Sequence, residues 1–497
     1  MASPACWKCL SRPSPLQMTS QIQLRSATAA FSTTTPVFNV VKKKTAAGKL
    51  IQSKAGQAKT LRLKKKAPVK MGKPPAPGER KAMRKRVVLS NTNALAVPGM
   101  QDLKKDIVGN LGKEFVGRVL GIEGKTVDAL RAAEAFKPHQ SWCFFRRPGI
   151  LIREETIVLG EKIIDAEKEG GLKLVLDGDR VTGKSLMLVS ALAMAHVRGW
   201  IVLNVPEAQE LTNAVTDYAA IEGSKLYSQN TYTASWLTAI AKTNAAILDK
   251  LKLTQEHPEV PIPLPADITL TRLCELGARD PEISWPILQA LWKEMTANGR
   301  PPIIMALDGL QYISQDSLYR TPDFKPIHSH DLAIVDHFLA YLSGEKTFPN
   351  GGAAIAATSR SHAPTSKSME LAIRKSQERQ FGGRVIERDT WGRERYDDIR
   401  AIEAFRNDEN LRSIEVFAER DPWEKNYDAR SDRALAKIET MKLAGLSRIE
   451  ARGLMEYWAQ SGLLRKQVDE KIVTEKWTLA GNGVVGEIER GALHMRI

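Results

Sequence analysis

From residue 150 onward, the hydrophobic positions fall into short apolar runs separated by stretches with helical spacing. Four apolar runs have the length and composition of buried strands: 172–176, 200–206, 303–308 and 353–360. The first run leads into an apolar helix over 186–197, and the interval 208–298 predicts helical insertions before the third run. Strands that alternate with helices predict an α/β fold with a parallel sheet and flanking helices.

The pattern changes on both sides of this core. Before it, helical periodicity covers 102–135 and 151–168. After it, Ser447 and Glu450 have the spacing of a capping box that opens a helix, whose apolar face is Ala451, Leu454, Met455 and Trp458. The segments 472–479 and 484–488 are predicted to be strands joined by a turn at 480–483. A helix followed by a hairpin favours a winged-helix-like lid, with a simple packing appendage as the alternative.

A glycine-rich segment between the first strand and its helix fits the pattern G-x-x-x-x-G-K-[ST]. Its glycines let the backbone curl so that N–H groups point at phosphate oxygens, and the helix N-terminus adds favourable partial charge. Lys184 is expected to reach the β- and γ-phosphates. The predicted nucleotide-binding residues are Gly178, Asp179, Arg180, Val181, Thr182, Gly183, Lys184, Ser185 and Leu186.

An acidic residue, Asp308, ends the third apolar run, as a Walker B strand requires. Together with the hydroxyl of Ser185 it is the predicted binding site for Mg²⁺. The fourth run ends in Thr358 and Ser359, where a γ-phosphate sensor would lie, although any strand must end in polar residues. The histidines His328, His330 and His337 have no companion cysteine, and we expect surface or capping residues there rather than a metal site.

Two expected features are missing from the sequence. Asp308 is followed by Gly309, whereas many hydrolysing phosphate-loop enzymes of the additional-strand class have a water-activating Glu at that position. The chain also has no [NT]-K-x-D motif for reading guanine. We therefore expect a bound nucleotide with little turnover, at most weak GTPase activity, and the residues alone leave guanine and adenine both open.

The positive charge is concentrated at one end of the chain. The net charge is +16, and the first 100 residues hold 20 Lys/Arg and one acidic residue, Glu79. An acid-poor, Ser- and Arg-containing start predicts a mitochondrial transit peptide over 1–40, with an untargeted tail as the alternative. Residues 41–100 are predicted to be a disordered basic extension that contacts the phosphates of structured RNA or serves as a linker.

Length and hydrophobicity set further limits. With 497 residues, 43% of them hydrophobic, the chain has room for two or three domains. No apolar run approaches the roughly 20 residues that cross a bilayer, which argues against an integral membrane protein. We predict a nucleotide-binding domain over 101–398 and a C-terminal helical and hairpin domain over 399–497.

These motifs, together with Asn204-Val205-Pro206 and the C-terminal segment 476–483, resemble the death-associated-protein family over roughly residues 130–497. The resemblance implies an AAA-like phosphate-loop core in a structural protein of the small subunit of a fungal mitochondrial ribosome. Its partners would be small-subunit ribosomal RNA, neighbouring ribosomal proteins and the large subunit. The family is described as binding guanine nucleotide, which places GTP or GDP at Gly183, Lys184 and Ser185, near Asp308.

Three functional hypotheses follow. The first is a nucleotide-binding ribosomal protein that holds GTP or GDP, with ATP as the alternative, and Mg²⁺. The second is an active AAA-like mitochondrial ATPase that acts on protein or nucleic acid, which would need a catalytic acid from elsewhere. The third is a scaffold with a degenerate loop, which is disfavoured because Gly183, Lys184 and Ser185 are all intact.

Overall fold

A computed structural model of the chain describes residues 87–138, 140–168, 170–265, 267–361, 363–380, 420, 423–424 and 426–493. The predicted transit peptide (1–40) and residues 41–86 of the predicted basic extension lie outside the described residues. So does the predicted domain boundary at 398/399.

The described strands are β1 (Val119–Gly121), β2 (Gly149–Leu151), β3 (Leu172–Gly178), β4 (Ile201–Val205), β5 (Ala219–Ala220), β6 (Tyr227–Ser228), β7 (Ile303–Asp308), β8 (Asp316–Arg320), β9 (Pro326–His328), β10 (Gly352–Ala357) and β11 (Glu439–Leu443). Five of them form the central sheet, in the order β11-β3-β10-β7-β4, and all its pairings are parallel. The prediction of an α/β fold with a parallel sheet and flanking helices is confirmed.

The described α-helices are α1 (Lys105–Gly109), α2 (Gly124–Ala132), α3 (Glu154–Asp165), α4 (Lys184–Val197), α5 (Ala208–Thr212), α6 (Asn230–Thr243), α7 (Ala245–Leu248), α8 (Leu270–Arg279), α9 (Ser284–Met295), α10 (Ala333–Leu342), α11 (Lys367–Gln380), α12 (Ala429–Ala434), α13 (Arg448–Gln460), α14 (Glu470–Leu479) and α15 (Val485–Leu493). In this part of the chain no helix combines the length and the apolar character needed to cross a bilayer.

The sheet is buried on both faces, which explains why its strands are continuous apolar runs. Because successive strand residues point to opposite sides, Val175, Met305 and Ala356 pack in one core with helices α6 and α8–α11. Their strand neighbours, including Leu174 and Ile304, pack in a second core around α4. Both cores thus hold the carboxyl ends of β3, β7 and β10 side by side.

The predicted helical insertions are confirmed, since the five helices α5 to α9 lie in the interval between β4 and β7. The prediction of continuous helical periodicity over 102–135 is only partly right. Helix α1 already ends at Gly109, the chain turns at Gly117 (φ 82°), and β1 then pairs with β2 before α2 begins. Apolar residues of β1 such as Leu120 had the same spacing as a helix face, so periodicity alone could not separate the two.

The C-terminal capping box is confirmed: Ser447 Oγ accepts from the Glu450 N–H, and the Glu450 carboxylate accepts from the Ser447 N–H at 2.7 Å. The predicted hairpin is wrong, because 470–479 and 485–493 are the helices α14 and α15. Val473 and Ala480 are buried and Leu479 is exposed, which is helical rather than alternating burial. The predicted turn joins the two helices, with left-handed φ at Gly481, Asn482 and Gly483.

A close approach of backbones fixes the C-terminal helices against the core. An ideal Cβ at Gly453, in α13, would lie 1.7 Å from the carbonyl oxygen of Gly117. We expect Gly453→Ala to force α13 away from this turn and to lower the free energy of unfolding by about 2–3 kcal/mol. Thermal unfolding followed by Trp fluorescence measures the effect.

The matched control is Gly491→Ala in α15, where a Cβ meets no heavy atom within 4 Å. This change should be neutral or stabilising by up to about 1 kcal/mol, because Ala is the better helix former. Equal melting temperatures for Gly453→Ala and the unchanged chain would show that the Gly117 contact does not fix the helix.

Candidate nucleotide site

The glycine-rich loop, residues 178–185, lies where the sequence predicts it, between the end of β3 at Gly178 and the start of α4 at Lys184. Gly183 has a φ of 97°, in the left-handed region that favours glycine. Val181 is also left-handed (φ 55°), and Thr182 Oγ1 donates to the Asp179 carbonyl at 3.0 Å. The loop therefore curls over the N-terminus of α4, as a phosphate-binding loop must.

Lys184 points back over this loop. Its ammonium donates to the carbonyl oxygens of Gly178 at 2.7 Å and Asp179 at 2.5 Å. Burial lowers the pKa of Lys184, although Asp177 opposes the effect. These carbonyl contacts hold the Lys184 ammonium over the loop.

Parallel pairing brings Asp308 to the loop, because the ends of β3 and β7 flank β10 at one edge of the sheet. Ser185 Oγ donates to Asp308 Oδ2 at 2.7 Å, so the two predicted Mg²⁺ residues do meet. A hydroxyl oxygen beside a carboxylate is a donor set that suits Mg²⁺. The same Oδ2 accepts from the Lys137 ammonium, a contact that the sequence analysis did not foresee.

The predicted sensor residues at the end of β10 are engaged with protein groups. Thr358 Oγ1 donates to Asp177 Oδ1 at 2.8 Å. The Ser359 N–H donates to Gln311 Oε1 at 2.9 Å, and Gln311 Nε2 donates to the Ser359 carbonyl at 2.7 Å. The next residue, Arg360, donates to both oxygens of Asp177 at 3.1 and 3.3 Å. Its guanidinium is the cationic group that this strand end brings near the loop.

Arg153 supports the loop from the opposite side. Its side chain is buried and donates to the Thr182 carbonyl at 3.0 Å, the Ala444 carbonyl at 2.8 Å and the Glu155 carboxylate at 2.9 Å. A buried arginine with three acceptors ties the loop to the segment after β11. No sequence signal marked Arg153, because the two carbonyl groups that it binds, those of Thr182 and Ala444, lie 29 and 291 residues away.

The outer side of the loop contacts the C-terminal helices. The Gly486 N–H, at the start of α15, donates to the Val181 carbonyl at 3.1 Å. A Cβ at Gly486 would lie 2.7 Å from the Val181 Cβ, so the two backbones are as close as a glycine allows. The conformation of the loop is thus coupled to the packing of α15.

A second cluster, His328, His330 and Asp428, has ligand atoms within 4.8 Å of one another. The contacts explain it without a metal. His328 Nε2 lies 3.1 Å from Asp428, and His328 Nδ1 accepts from the His330 N–H at 3.1 Å, which caps the turn Ser329–Asp331. Burial lowers the pKa of His330 to about 4 and the pKa of His337 to about 3. Both side chains are therefore neutral near pH 7. The expected capping role is confirmed for His328.

Comparisons with known proteins identify the family of this chain. Residues 150–491, more than half of the chain, match the family model described as mitochondrial ribosomal death-associated protein 3. The small ribosomal subunit protein mS29 of Neurospora crassa is 41% identical over 499 residues, which covers 99% of each chain. The protein of the same name from Schizosaccharomyces pombe is 27% identical over 267 residues, 52% of this chain and 56% of its own. The chain therefore belongs to the mitochondrial ribosomal death-associated protein 3 family.

Proposed function

We propose that the chain is a structural constituent of the small subunit of the mitochondrial ribosome, and that it binds a purine nucleotide in the glycine-rich loop. The ribosomal part rests on the family and on two fungal relatives that are both named as small-subunit ribosomal proteins. Membership of this family gives the chain its location, the mitochondrial ribosome in the matrix. Its partners are then the small-subunit ribosomal RNA and neighbouring ribosomal proteins.

The observation that carries the nucleotide proposal is the meeting of Lys184, Ser185 and Asp308 at one edge of the sheet. One strand, β10, lies between the loop-bearing β3 and the acid-bearing β7, which is the arrangement of the additional-strand, AAA-like class. The loop N–H groups and Lys184 would bind the phosphates. When Mg²⁺ is bound, Ser185 and Asp308 would hold it, and it would supply positive charge next to those phosphates.

The same contacts favour binding over turnover. The residue after Asp308 is Gly309, which has a left-handed φ of 94°. Because it is a glycine, it offers no carboxylate at that position to activate water. Gln311, three residues after Asp308, is held in place because both ends of its amide bind the backbone of Ser359. A nucleotide held here would act as a structural ligand, which distinguishes this protein from the ATPase alternative.

The resemblance to the family supports guanine nucleotide, GTP or GDP, with ATP as the alternative. The basic extension, residues 41–100, has the charge to bind ribosomal RNA phosphates. Contact with the large subunit across the intersubunit face is part of the same proposal.

Lys184→Ala tests the proposed site directly. We expect the change to weaken binding of GDP and GTP by about 10- to 100-fold, because a charge-assisted contact with phosphate is lost. Titration calorimetry on the full-length chain measures the affinity. The control is Lys173→Ala, which removes a lysine near the amino end of β3, at the opposite end of that strand from the loop. This variant should bind GDP and GTP with the affinity of the unchanged chain. Absence of nucleotide binding by the unchanged chain would refute the nucleotide proposal.

Because Gly486 donates to the Val181 carbonyl, nucleotide binding should also stabilise the start of α15. We expect hydrogen exchange of loop and Gly486 amides to slow by about tenfold or more when nucleotide binds, since both belong to one contact network. Amides of α9, which packs on the other face of the sheet, should not respond. Protection confined to the loop would contradict the coupling of the nucleotide to the C-terminal helices.

A further inference from the structure

The side chain of Lys137 lies next to Asp308, which with Ser185 is proposed to hold Mg²⁺. Its ammonium contacts Asp308 Oδ2, the same oxygen that accepts from Ser185 Oγ at 2.7 Å. Asp308 is 6% exposed and Lys137 24%, so this is a partly buried ion pair and not a surface contact. The chain itself thus places a cationic side chain beside Asp308.

The segment that carries Lys137 is anchored, so the ammonium is not on a freely moving tail. The Lys137 N–H donates to Gln140 Oε1 at 2.9 Å. Its neighbour Phe136 is buried and packs edge-on against Trp142, with ring centroids 5.1 Å apart. The Ala133 carbonyl accepts from Asn204 Nδ2 at 2.8 Å, which fixes the start of this segment to the end of β4.

A small, partly open pocket adjoins this cation. It is lined by Lys137, Ser185, Asn204 and Asp308 together with apolar residues that include Leu188 and Leu192, and its volume of about 10 Å³ is near the minimum that holds one water. Asn204 is 5% exposed and its Oδ1 has no hydrogen-bond partner, so it offers this cavity a free acceptor.

From this geometry we propose that Lys137 is a built-in counter-cation for the nucleotide, so that Mg²⁺ at Ser185 and Asp308 is dispensable for nucleotide binding. The inference rests on the proposed nucleotide binding and adds to it that the positive charge of Lys137 is needed when Mg²⁺ is removed. The ammonium of Lys137 neutralises Asp308, which would otherwise repel the phosphates, and it adds to the charge of Lys184 on the other side of the loop. Lys137 also precedes residues 150–491, which match the family model, so that match does not include it.

The test compares nucleotide affinity in EDTA and in excess Mg²⁺, using the full-length chain and fluorescent GDP. The unchanged chain should bind with the same affinity in both conditions, within about twofold. Lys137→Met should bind about tenfold or more weakly in EDTA, the size expected for loss of one charge-assisted contact, and should regain affinity in Mg²⁺. Lys137→Arg, which keeps the charge, should behave as the unchanged chain.

Lys162→Met is the matched control. It removes another partly exposed lysine that pairs with a carboxylate, Glu439 at 2.7 Å, at the amino end of β11 and away from the loop. This variant should retain binding in EDTA, and melting temperatures should show that each variant is folded.

A large loss of affinity of the unchanged chain in EDTA would overturn the role of Lys137 and leave nucleotide binding intact. An equal response of Lys137→Met and the unchanged chain to EDTA would overturn it as well. Failure of the unchanged chain to bind GDP or GTP in either condition would instead refute the proposed nucleotide binding, and with it this inference.

Discussion

The site depends on the hydrogen bonds and the ion pair made by the Asp308 carboxylate, because they join three segments that are far apart in the sequence. Ser185 at the start of α4 and Lys137 after α2 both donate to the same oxygen of this side chain. Asp308 is buried at the end of β7, where an unpaired charge would be costly. Its two donors therefore stabilise the carboxylate and align the loop with the central sheet.

The position of Asp308 follows in turn from burial of the sheet on both faces. Alternate residues of β3, β7 and β10 pack into two separate cores, so a shift of one residue in a strand would exchange the two sets. This fixes the register, and the register brings the strand ends and the loop together. Arg153 extends the same network to the segment after β11, and Gly486 extends it to α15.

The parts predicted from sequence are those set by local pattern. The four apolar strands, the glycine-rich loop, Asp308 and the Ser447–Glu450 capping box each depend on neighbouring residues. Strand β11 was missed because Glu439 and Lys442 break its apolar run at the edge of the sheet. The C-terminal hairpin was wrong because β-branched residues and a glycine turn suit a hairpin locally, while burial of Val473 and Ala480 selects a helix.

The cationic groups around the loop lay beyond sequence reasoning for a different reason. Lys137 and Asp308 are 171 residues apart, and Arg360 and Asp177 are 183 apart. No local periodicity relates such residues, since only the assembled sheet places them together. The base of the proposed nucleotide is likewise not set by a short motif, because the chain lacks a guanine-reading sequence.

The central claim is that this ribosomal protein holds a nucleotide as a structural ligand. The most direct measurement is to purify the mitochondrial small subunit by sedimentation, extract its nucleotide, and identify it by mass in particles that contain the unchanged chain or Lys184→Ala. The account predicts one guanine nucleotide, either GTP or GDP, per particle with the unchanged chain, and the loss of that nucleotide with Lys184→Ala. Small subunits that contain the unchanged chain but yield no nucleotide would contradict it.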